Sequence, residues 1–209
     1  MNLSVKSKII PAIAIVLLIL AGPAAYYGSA LWIKTIGIEV KPGKAYEPQK
    51  TQFFLQNDPQ WKDNLIGQSG LRLGGYGCLV SALTSSISQL GHETTPRELN
   101  DLFARNGVYT AGGEVIWYKI SEVIPGIKYQ YKRVFSSSTL EEDLRQRRLP
   151  IVKVRYKRTG VFHWVLVVGA DKEDFLIMDP LNPNKEVVSL GTHGKVHAYR
   201  VLQKTEEMR

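Results

Sequence analysis

Residues 151–178 read IVKVRYKRTGVFHWVLVVGADKEDFLIM, and this stretch decides the fold class. Between residues 151 and 156 apolar side chains alternate with basic ones, which is the period of a strand with one buried face. Residues 162–169 and 174–178 are nearly continuous apolar runs, which is typical of strands in a buried sheet. Two more short strands are predicted at residues 187–190 and 197–202.

Helical patterns occupy the part of the chain before these strands. They are predicted over residues 79–90, 95–105, 114–123 and 138–148, with one short strand at residues 51–56. Two of the helices open with capping boxes, Thr95-Pro96-Arg97-Glu98 and Ser138-Thr139-Leu140-Glu141. Helices followed by a run of short strands predict an α+β fold, in which N-terminal helices pack as one layer on a C-terminal antiparallel sheet.

Residues 9–33 form an apolar segment, IIPAIAIVLLILAGPAAYYGSALWI, without a charged side chain. As a helix this segment would be about 37 Å long, enough to cross a hydrocarbon core of about 30 Å. A retained transmembrane anchor is the first interpretation, and a signal peptide cleaved near Gly28-Ser29-Ala30 is the second. A buried soluble helix does not fit, because no face of the segment is polar.

The chain therefore divides into three parts. A short basic tail and the apolar segment occupy residues 1–33, a linker containing glycine and proline occupies residues 34–50, and one domain occupies residues 51–209. Short basic N-terminal tails usually stay in the cytoplasm. The domain is therefore expected on the extracytoplasmic side of the cell membrane, or secreted if the apolar segment is cleaved.

Of the 209 residues, 44% are hydrophobic, which excludes a disordered chain, and the formal net charge is +8. Residues 1–33 hold two basic groups and no acidic one, so the remainder keeps a charge of +6. The densest basic run lies at residues 145–158. It is either a solvated surface or a means of attracting anionic headgroups or an acidic substrate. A nucleic-acid partner is not expected, because no recognition helix accompanies the charge.

Cys78 is the lone cysteine, which excludes a disulfide scaffold and a cysteine-rich metal site. It follows the glycine-rich residues 74–77 and stands at the start of a predicted helix. The dipole at that end of a helix favours an anion, so a thiolate would be stabilised there. A buried small hydrophobic residue is the alternative interpretation of Cys78.

A nucleophilic thiolate needs a base, and His163 is the candidate. It begins a buried strand, where a polar ring must find a partner, and a satisfied core histidine is the other interpretation. His92 is excluded as a direct partner, because it lies about 20 Å from Cys78 at the far end of the helix. His193 and His197 flank a glycine in a turn near the C-terminus and are predicted to be solvated, rather than to form a metal-binding pair.

Asp179 and Gln56 complete the candidate set. Asp179 ends the strand after His163, and a hairpin at residues 169–172 would place it beside the ring and let it hold the imidazole. Asp171, in the presumed turn, is a weaker rival, and a simple turn residue is the alternative for Asp179. The Gln56 amide lies upstream of the nucleophile and could donate to an oxyanion, or it is only a polar strand end.

Four motifs occur in a fixed order within about residues 50–202. They are Gln56-Asn57-Asp58-Pro59-Gln60-Trp61, Gly74-Gly75-Tyr76-Gly77-Cys78, His163-Trp164-Val165-Leu166-Val167-Val168-Gly169 and Asp179-Pro180. In combination they resemble the C39-like cysteine peptidase family. The resemblance implies a papain-like fold, with Cys78 as nucleophile on a helix and His163 as general base and acid on a sheet. It also implies that Asp179 orients the ring and that Gln56 donates to the oxyanion.

The sequence thus predicts a membrane-anchored cysteine peptidase that hydrolyses a peptide or protein substrate without a cofactor or metal. Two alternatives are a non-catalytic peptide-binding or regulatory module on the same fold and a peptidoglycan amide hydrolase. The presence of all four site residues in the order of the family favours the enzyme, because a binding module does not need them.

Overall fold

The computed structural model describes residues 21–205, and a six-stranded antiparallel sheet lies at the centre of this part of the chain. The strands are β1 (Ile127–Lys132), β2 (Pro150–Arg155), β3 (Phe162–Ala170), β4 (Phe175–Met178), β5 (Val188–Ser189) and β6 (Val196–Lys204). Their order across the sheet is β1-β6-β2-β3-β4-β5, so that the last strand inserts between the first two.

Six helices accompany the sheet within the described residues. They are α1 (residues 21–36), α2 (Leu73–Tyr76), α3 (Cys78–Gln89), α4 (Pro96–Arg105), α5 (Trp117–Val123) and α6 (Ser137–Arg145). The predicted capping box opens α4, where the Thr95 side chain accepts from the Glu98 N–H and the Glu98 carboxylate accepts from the Thr95 N–H. The predicted α+β class with an antiparallel sheet is confirmed.

Three details of the sequence prediction are wrong. Residues 51–56 do not form a strand; Thr51 instead donates from its hydroxyl to the Ser85 carbonyl at 2.6 Å, and the segment crosses α3. Strand β1 has no counterpart in the prediction, although its residues, IKYQYK, alternate between apolar and polar side chains. The second capping box consists of Ser136 and Thr139 and therefore begins two residues earlier than predicted.

Helices cover both faces of the sheet, which corrects the expectation of a single helical layer. On one face Ile151 packs in a cluster with Leu83 of α3. On the opposite face Val152 packs in a second cluster with Leu140 of α6 and Ile33 of α1. Successive side chains of a strand point to opposite faces, so β2 contributes to both clusters.

The segment predicted as a linker lies along the sheet over part of its length. Ile38 forms an antiparallel bridge with Val196, and Tyr46 forms another with Ala170. A Cβ on Gly169 would lie 2.7 Å from the Tyr46 carbonyl oxygen, so glycine is required at this point of close approach.

The apolar N-terminal segment is described only in part. Residues 9–20 lie outside the described residues, whereas residues 21–36 form α1, in which Ile33 is buried and Leu31 and Trp32 are exposed. No helix within residues 21–205 combines the length and the apolar character needed to cross a membrane.

Asp143 of α6 is a buried acid that connects this helix to the sheet. Its carboxylate accepts from the Tyr199 hydroxyl on β6 and from the Arg148 guanidinium, whose Nη2 lies 2.6 Å away. Burial first, and then the Asp143 charge, raise the pKa of Tyr199, so the hydroxyl stays protonated and donates. The Arg148 guanidinium also donates to Gln203 of β6 at 3.2 Å.

Asp143→Ala is expected to lower the free energy of unfolding by about 3 kcal/mol, because the buried Tyr199 hydroxyl and the Arg148 guanidinium lose their acceptor. Urea unfolding of the full chain in a neutral detergent, followed by circular dichroism, measures this change. Glu142→Ala is the matched control, since Glu142 pairs with Arg145 on the surface and such pairs contribute little. Equal effects of the two substitutions would contradict a structural role for the buried acid.

Candidate active site

Cys78 is the first residue of α3, and its side chain is half-buried. Helix α2 ends at Tyr76, Gly77 is the N-cap of α3, and no side chain caps the first turn. A Cβ on Gly77 would lie 2.5 Å from the Leu73 carbonyl oxygen, so only glycine lets the two helices follow each other this closely. The thiol therefore lies at a helix N-terminus whose backbone N–H groups have no side-chain acceptor.

The rest of α3 is buried, and it holds the thiol in place. Every residue from Val80 to Ile87 is buried, although four of them carry hydroxyl groups. The Thr84 hydroxyl donates to the Val80 carbonyl at 2.8 Å, and the Ser85 hydroxyl donates to the Ser81 carbonyl at 3.2 Å. These two bonds satisfy the Thr84 and Ser85 hydroxyl groups inside the protein. The side chains themselves are small, so α3 can pack on β3.

His163 and Asp179 form a buried hydrogen bond. His163 is the second residue of β3, and Asp179 directly follows β4, which is the adjacent antiparallel strand. Nε2 of the histidine lies 2.6 Å from Oδ1 of the aspartate, and both side chains are less than a tenth exposed. The hairpin between β3 and β4 thus brings together two of the predicted site residues.

His193 is a third member of this group, and the prediction that it is solvated is wrong. Its side chain is 1% exposed, and its Nε2 lies 3.2 Å from the second oxygen of Asp179. Its Nδ1 accepts the backbone N–H of Lys157 at 3.0 Å. The ring proton must therefore be on Nε2 and is donated to Asp179. The glycine-rich turn before β6 gave no sequence signal for this inward orientation.

The Asp179 carboxylate accepts three hydrogen bonds. Besides the two histidines, the backbone N–H of Leu181 donates to Oδ1 at 2.8 Å. Burial is the largest influence on the pKa of Asp179 and raises it, but the three hydrogen bonds and the charge of His163 together bring the pKa well below its usual range. An ionised carboxylate only accepts, so Nε2 of His163 donates to it and Nδ1 remains for Cys78.

The His163 ring is held in its charged form by its neighbours. Burial, the largest influence, lowers its pKa, while the hydrogen bond to Asp179 and the neighbouring Cys78 side chain raise it, to about 9. Cys78 is thus a neighbour of the His163 ring. A protonated ring beside a thiolate is the arrangement that a nucleophilic cysteine needs.

Gln56 lies between the loop that carries Cys78 and the turn that carries Asp179. Its backbone N–H donates to the Pro180 carbonyl at 3.0 Å, and its Nε2 donates to the Gly74 carbonyl at 2.9 Å. The side chain is buried, and within residues 21–205 its Oε1 has no hydrogen-bond partner. The amide nitrogen carries a second N–H besides the one donated to Gly74.

The remaining sequence candidates lie outside this group. Asp171, the weaker rival, is exposed in the β3–β4 hairpin, where Oδ1 accepts from the N–H groups of Glu173 and Asp174 at 2.7 Å. His197 is also buried, contrary to prediction, and its ring packs edge-on against Phe162 with centroids 5.1 Å apart. Neither residue contacts the His163 pair.

No protein-family model matches the chain, and no curated protein matches it. Among solved structures, the chain is similar to a crystal structure from Bacillus anthracis that is described as a "putative C39-like peptidase". The similarity covers 76% of this chain and 100% of the other, with a TM-score of 0.49 and 13% sequence identity. A similarity at this level carries no information about the activity of this chain.

Asp179→Asn is expected to lower the pKa of His163 from about 9 by about 1 to 3 pH units, because the ring loses its anionic partner. Titration of the histidine Cε1–H signals by NMR measures this pKa. In the wild type, the raised pKa stabilises the folded state fully below pH 6.5, and this contribution is lost as the pH rises through about 9. Asp171→Asn, in the same hairpin, is the control and should leave the titration unchanged. An unshifted His163 in Asp179→Asn would contradict the assignment.

Proposed function

We propose that the chain is a cysteine peptidase that hydrolyses peptide bonds with Cys78, His163 and Asp179. The observation that carries this proposal is the buried 2.6 Å hydrogen bond from His163 to Asp179, with the other ring nitrogen left for Cys78. A pair of this kind activates a thiol by taking its proton and by keeping the ring in one tautomer. The half-buried position of Cys78 leaves its sulfur accessible to a substrate.

The reaction follows from the roles of these groups. Because the His163 ring is held in its charged form, the reaction begins with the thiol proton already on Nδ1. The Cys78 sulfur then attacks the scissile carbonyl carbon, whose π electrons move to the oxygen. His163 then gives the proton to the departing amine nitrogen as the carbon–nitrogen bond breaks, which leaves a thioester on Cys78. Water, deprotonated by the same ring, attacks the thioester and releases the acid and the thiol.

Gln56 and the start of α3 are suited to stabilise the oxyanion of this reaction. The second N–H of the Gln56 amide and the backbone N–H of Cys78 belong to the same loop region, since the amide is anchored to the Gly74 carbonyl. Two neutral donors in a partly buried site stabilise a negative oxygen without a proton transfer. In this proposal, Gln56 lowers the barrier to attack but does not exchange a proton.

We also propose that residues 9–33 anchor the chain in the cell membrane, with the peptidase domain on the extracytoplasmic side. The length of the segment and its lack of charge support this proposal. The exposed Trp32 side chain of α1 also supports it, since tryptophan is favoured at the boundary of a bilayer. The anchor would keep the site close to the membrane surface.

Cys78→Ala and His163→Ala are each expected to reduce peptide cleavage by about 10³-fold or more, while the circular dichroism spectrum stays unchanged. The assay is a library of internally quenched peptides incubated with the full chain in neutral detergent. His92→Ala, at the far end of α3, is the control and should retain full activity. Wild-type Cys78 should also react with iodoacetamide faster than N-acetylcysteine does at pH 7. A rate no higher than that of the free thiol would argue against the peptidase.

The full chain is expected to stay in the membrane pellet when membranes are extracted with alkaline carbonate, because an inserted apolar helix resists this treatment. Immunoblotting of pellet and supernatant measures the distribution. Replacing Leu17, Leu18 and Leu20 with arginine should release the chain, since charged residues in the bilayer interior are costly. Release of the wild-type chain into the supernatant would contradict a retained anchor.

A further inference from the structure

A cleft of about 550 Å³ opens at the end of the sheet where β3 begins. Its walls come from α1, from the end of β1 and from the neighbouring parts of β2, β3 and β6. Five basic side chains and no acidic one line it within the described residues: Lys34, Lys132, Arg133, Lys153 and Arg200. We call these five residues, together with the lining rings of Phe162 and Trp164, the basic cleft.

The basic cleft adjoins the candidate active site. Trp164, which lines it, packs in the same cluster as Val80 of α3, and Lys153 lies opposite Trp164 in the register of β2 and β3. The cleft therefore lies on the face of the sheet that α3 covers, and Cys78 is the first residue of that helix. A substrate bound at Cys78 can therefore place a neighbouring side chain in the cleft.

Lys153 and Arg200 are the two partly buried cations of the cleft, and neither has an acidic partner within residues 21–205. Lys153 Nζ lies over the rings of Phe162 and Trp164, 4.3 and 5.9 Å from their centroids. Arg200 Cζ lies 4.0 Å from the centroid of Tyr131. Neither cation belongs to an ion pair within residues 21–205. Aromatic rings position a cation, but they do not neutralise it.

Two like charges lie near Lys153. Burial is the main cause that lowers its pKa; among the neighbouring charges Glu114 raises the pKa, and Lys34 and Arg200 lower it. Arg145 and Arg148 differ in this respect, because each pairs with a carboxylate. An added carboxylate in the cleft would relieve this repulsion and pair with both cations.

We propose that the basic cleft binds an acidic side chain, Asp or Glu, of the peptide substrate beside the bond that Cys78 attacks. This proposal rests on the proposed peptidase function and names its substrate class. A side chain of an extended peptide can reach partly buried cations such as Lys153 and Arg200, which lie over aromatic rings. A flat surface of anionic lipid headgroups would instead contact cations that project outward.

The electrostatic part of the test compares iodoacetate, an anion, with iodoacetamide, its neutral analogue. Cys78 is the lone cysteine, so the mass of the intact full chain in neutral detergent reports its alkylation directly. Lys153→Met and Arg200→Met are each expected to reduce the iodoacetate-to-iodoacetamide rate ratio by about threefold to tenfold at low salt. Lys153→Arg should keep the wild-type ratio, because it keeps the charge.

Lys172→Met is the matched control. Lys172 is exposed in the hairpin at the other end of β3, about 30 Å from the site along the strand. The iodoacetate-to-iodoacetamide rate ratio of Lys172→Met should equal that of the wild type. Salt at about 0.5 M should reduce the differences in this ratio among all variants. An equal ratio in wild type, Lys153→Met and Arg200→Met would overturn the proposal.

The substrate part of the test uses tripeptide chloromethyl ketones that differ only by Glu or Gln at one position. For at least one position, the Glu reagent should label wild-type Cys78 several-fold faster than the Gln reagent, and Lys153→Met should abolish the preference. Absence of a preference at every position would overturn the proposal. Protection of Cys78 from iodoacetamide by dihexanoylphosphatidylglycerol, without a Glu preference, would identify an anionic headgroup as the ligand and would also overturn it.

These outcomes separate the cleft from the peptidase activity. A Cys78 that reacts no faster than a free thiol, with a rate ratio that still depends on Lys153, contradicts the peptidase and supports an anion-binding cleft. If Cys78 is alkylated faster than a free thiol and the rate ratio is unchanged in Lys153→Met and Arg200→Met, the result supports the peptidase and contradicts the acidic substrate.

Discussion

The Asp179 carboxylate accepts hydrogen bonds from two buried histidines and from one backbone N–H, and the arrangement of the candidate site depends on it. A buried carboxylate is costly unless donors surround it, so the three donors are held in place by the same contacts that make the acid tolerable. These donors come from the start of β3, the turn after β4 and the turn before β6. One negative charge therefore unites three separate parts of the sheet at a single point.

The fold brings the two halves of the site together through its core. Helix α3 is buried almost along its whole length and packs on β3, so the first residue of the helix and the second residue of the strand have a fixed relation. The Gln56 segment then spans from the glycine-rich loop to the turn after Asp179 through its amide and its backbone N–H. Cys78 and His163 thus lie on regular elements, Asp179 directly follows β4, and Gln56 lies in a loop.

Much of this arrangement could be predicted from the sequence, where the signals are local. The period of residues 151–156 and the capping box at Thr95 depend on neighbouring residues, and both correspond to the observed elements. The hairpin that joins β3 to β4 is short, so the contact between His163 and Asp179 also followed from a local argument. Residues 127–132 alternate in the same way, so strand β1 was open to the same argument; what a local pattern does not contain is the identity of its partner, the distant β6.

The errors at His193 and His197 have a related cause. A histidine next to a glycine-rich turn is usually solvated, and only the chain around it decides otherwise. Here Lys157, from the distant β2–β3 connection, donates its N–H to the His193 ring and makes burial possible. The basic residues at 145–158 show the same limit: in the structure Arg145 and Arg148 pair with carboxylates, whereas Lys153 lines the cleft without an ion pair within residues 21–205.

The contact at Gly77 sets a condition on any protein that shares this site. Because the missing side chain would collide with backbone atoms of Leu73, no change of neighbouring side chains can make room for it. The condition concerns the position of the sulfur and is independent of the chemistry that takes place there. Among chains with a cysteine at the corresponding position, glycine before it separates those that keep the position of the thiol from those that keep only the cysteine.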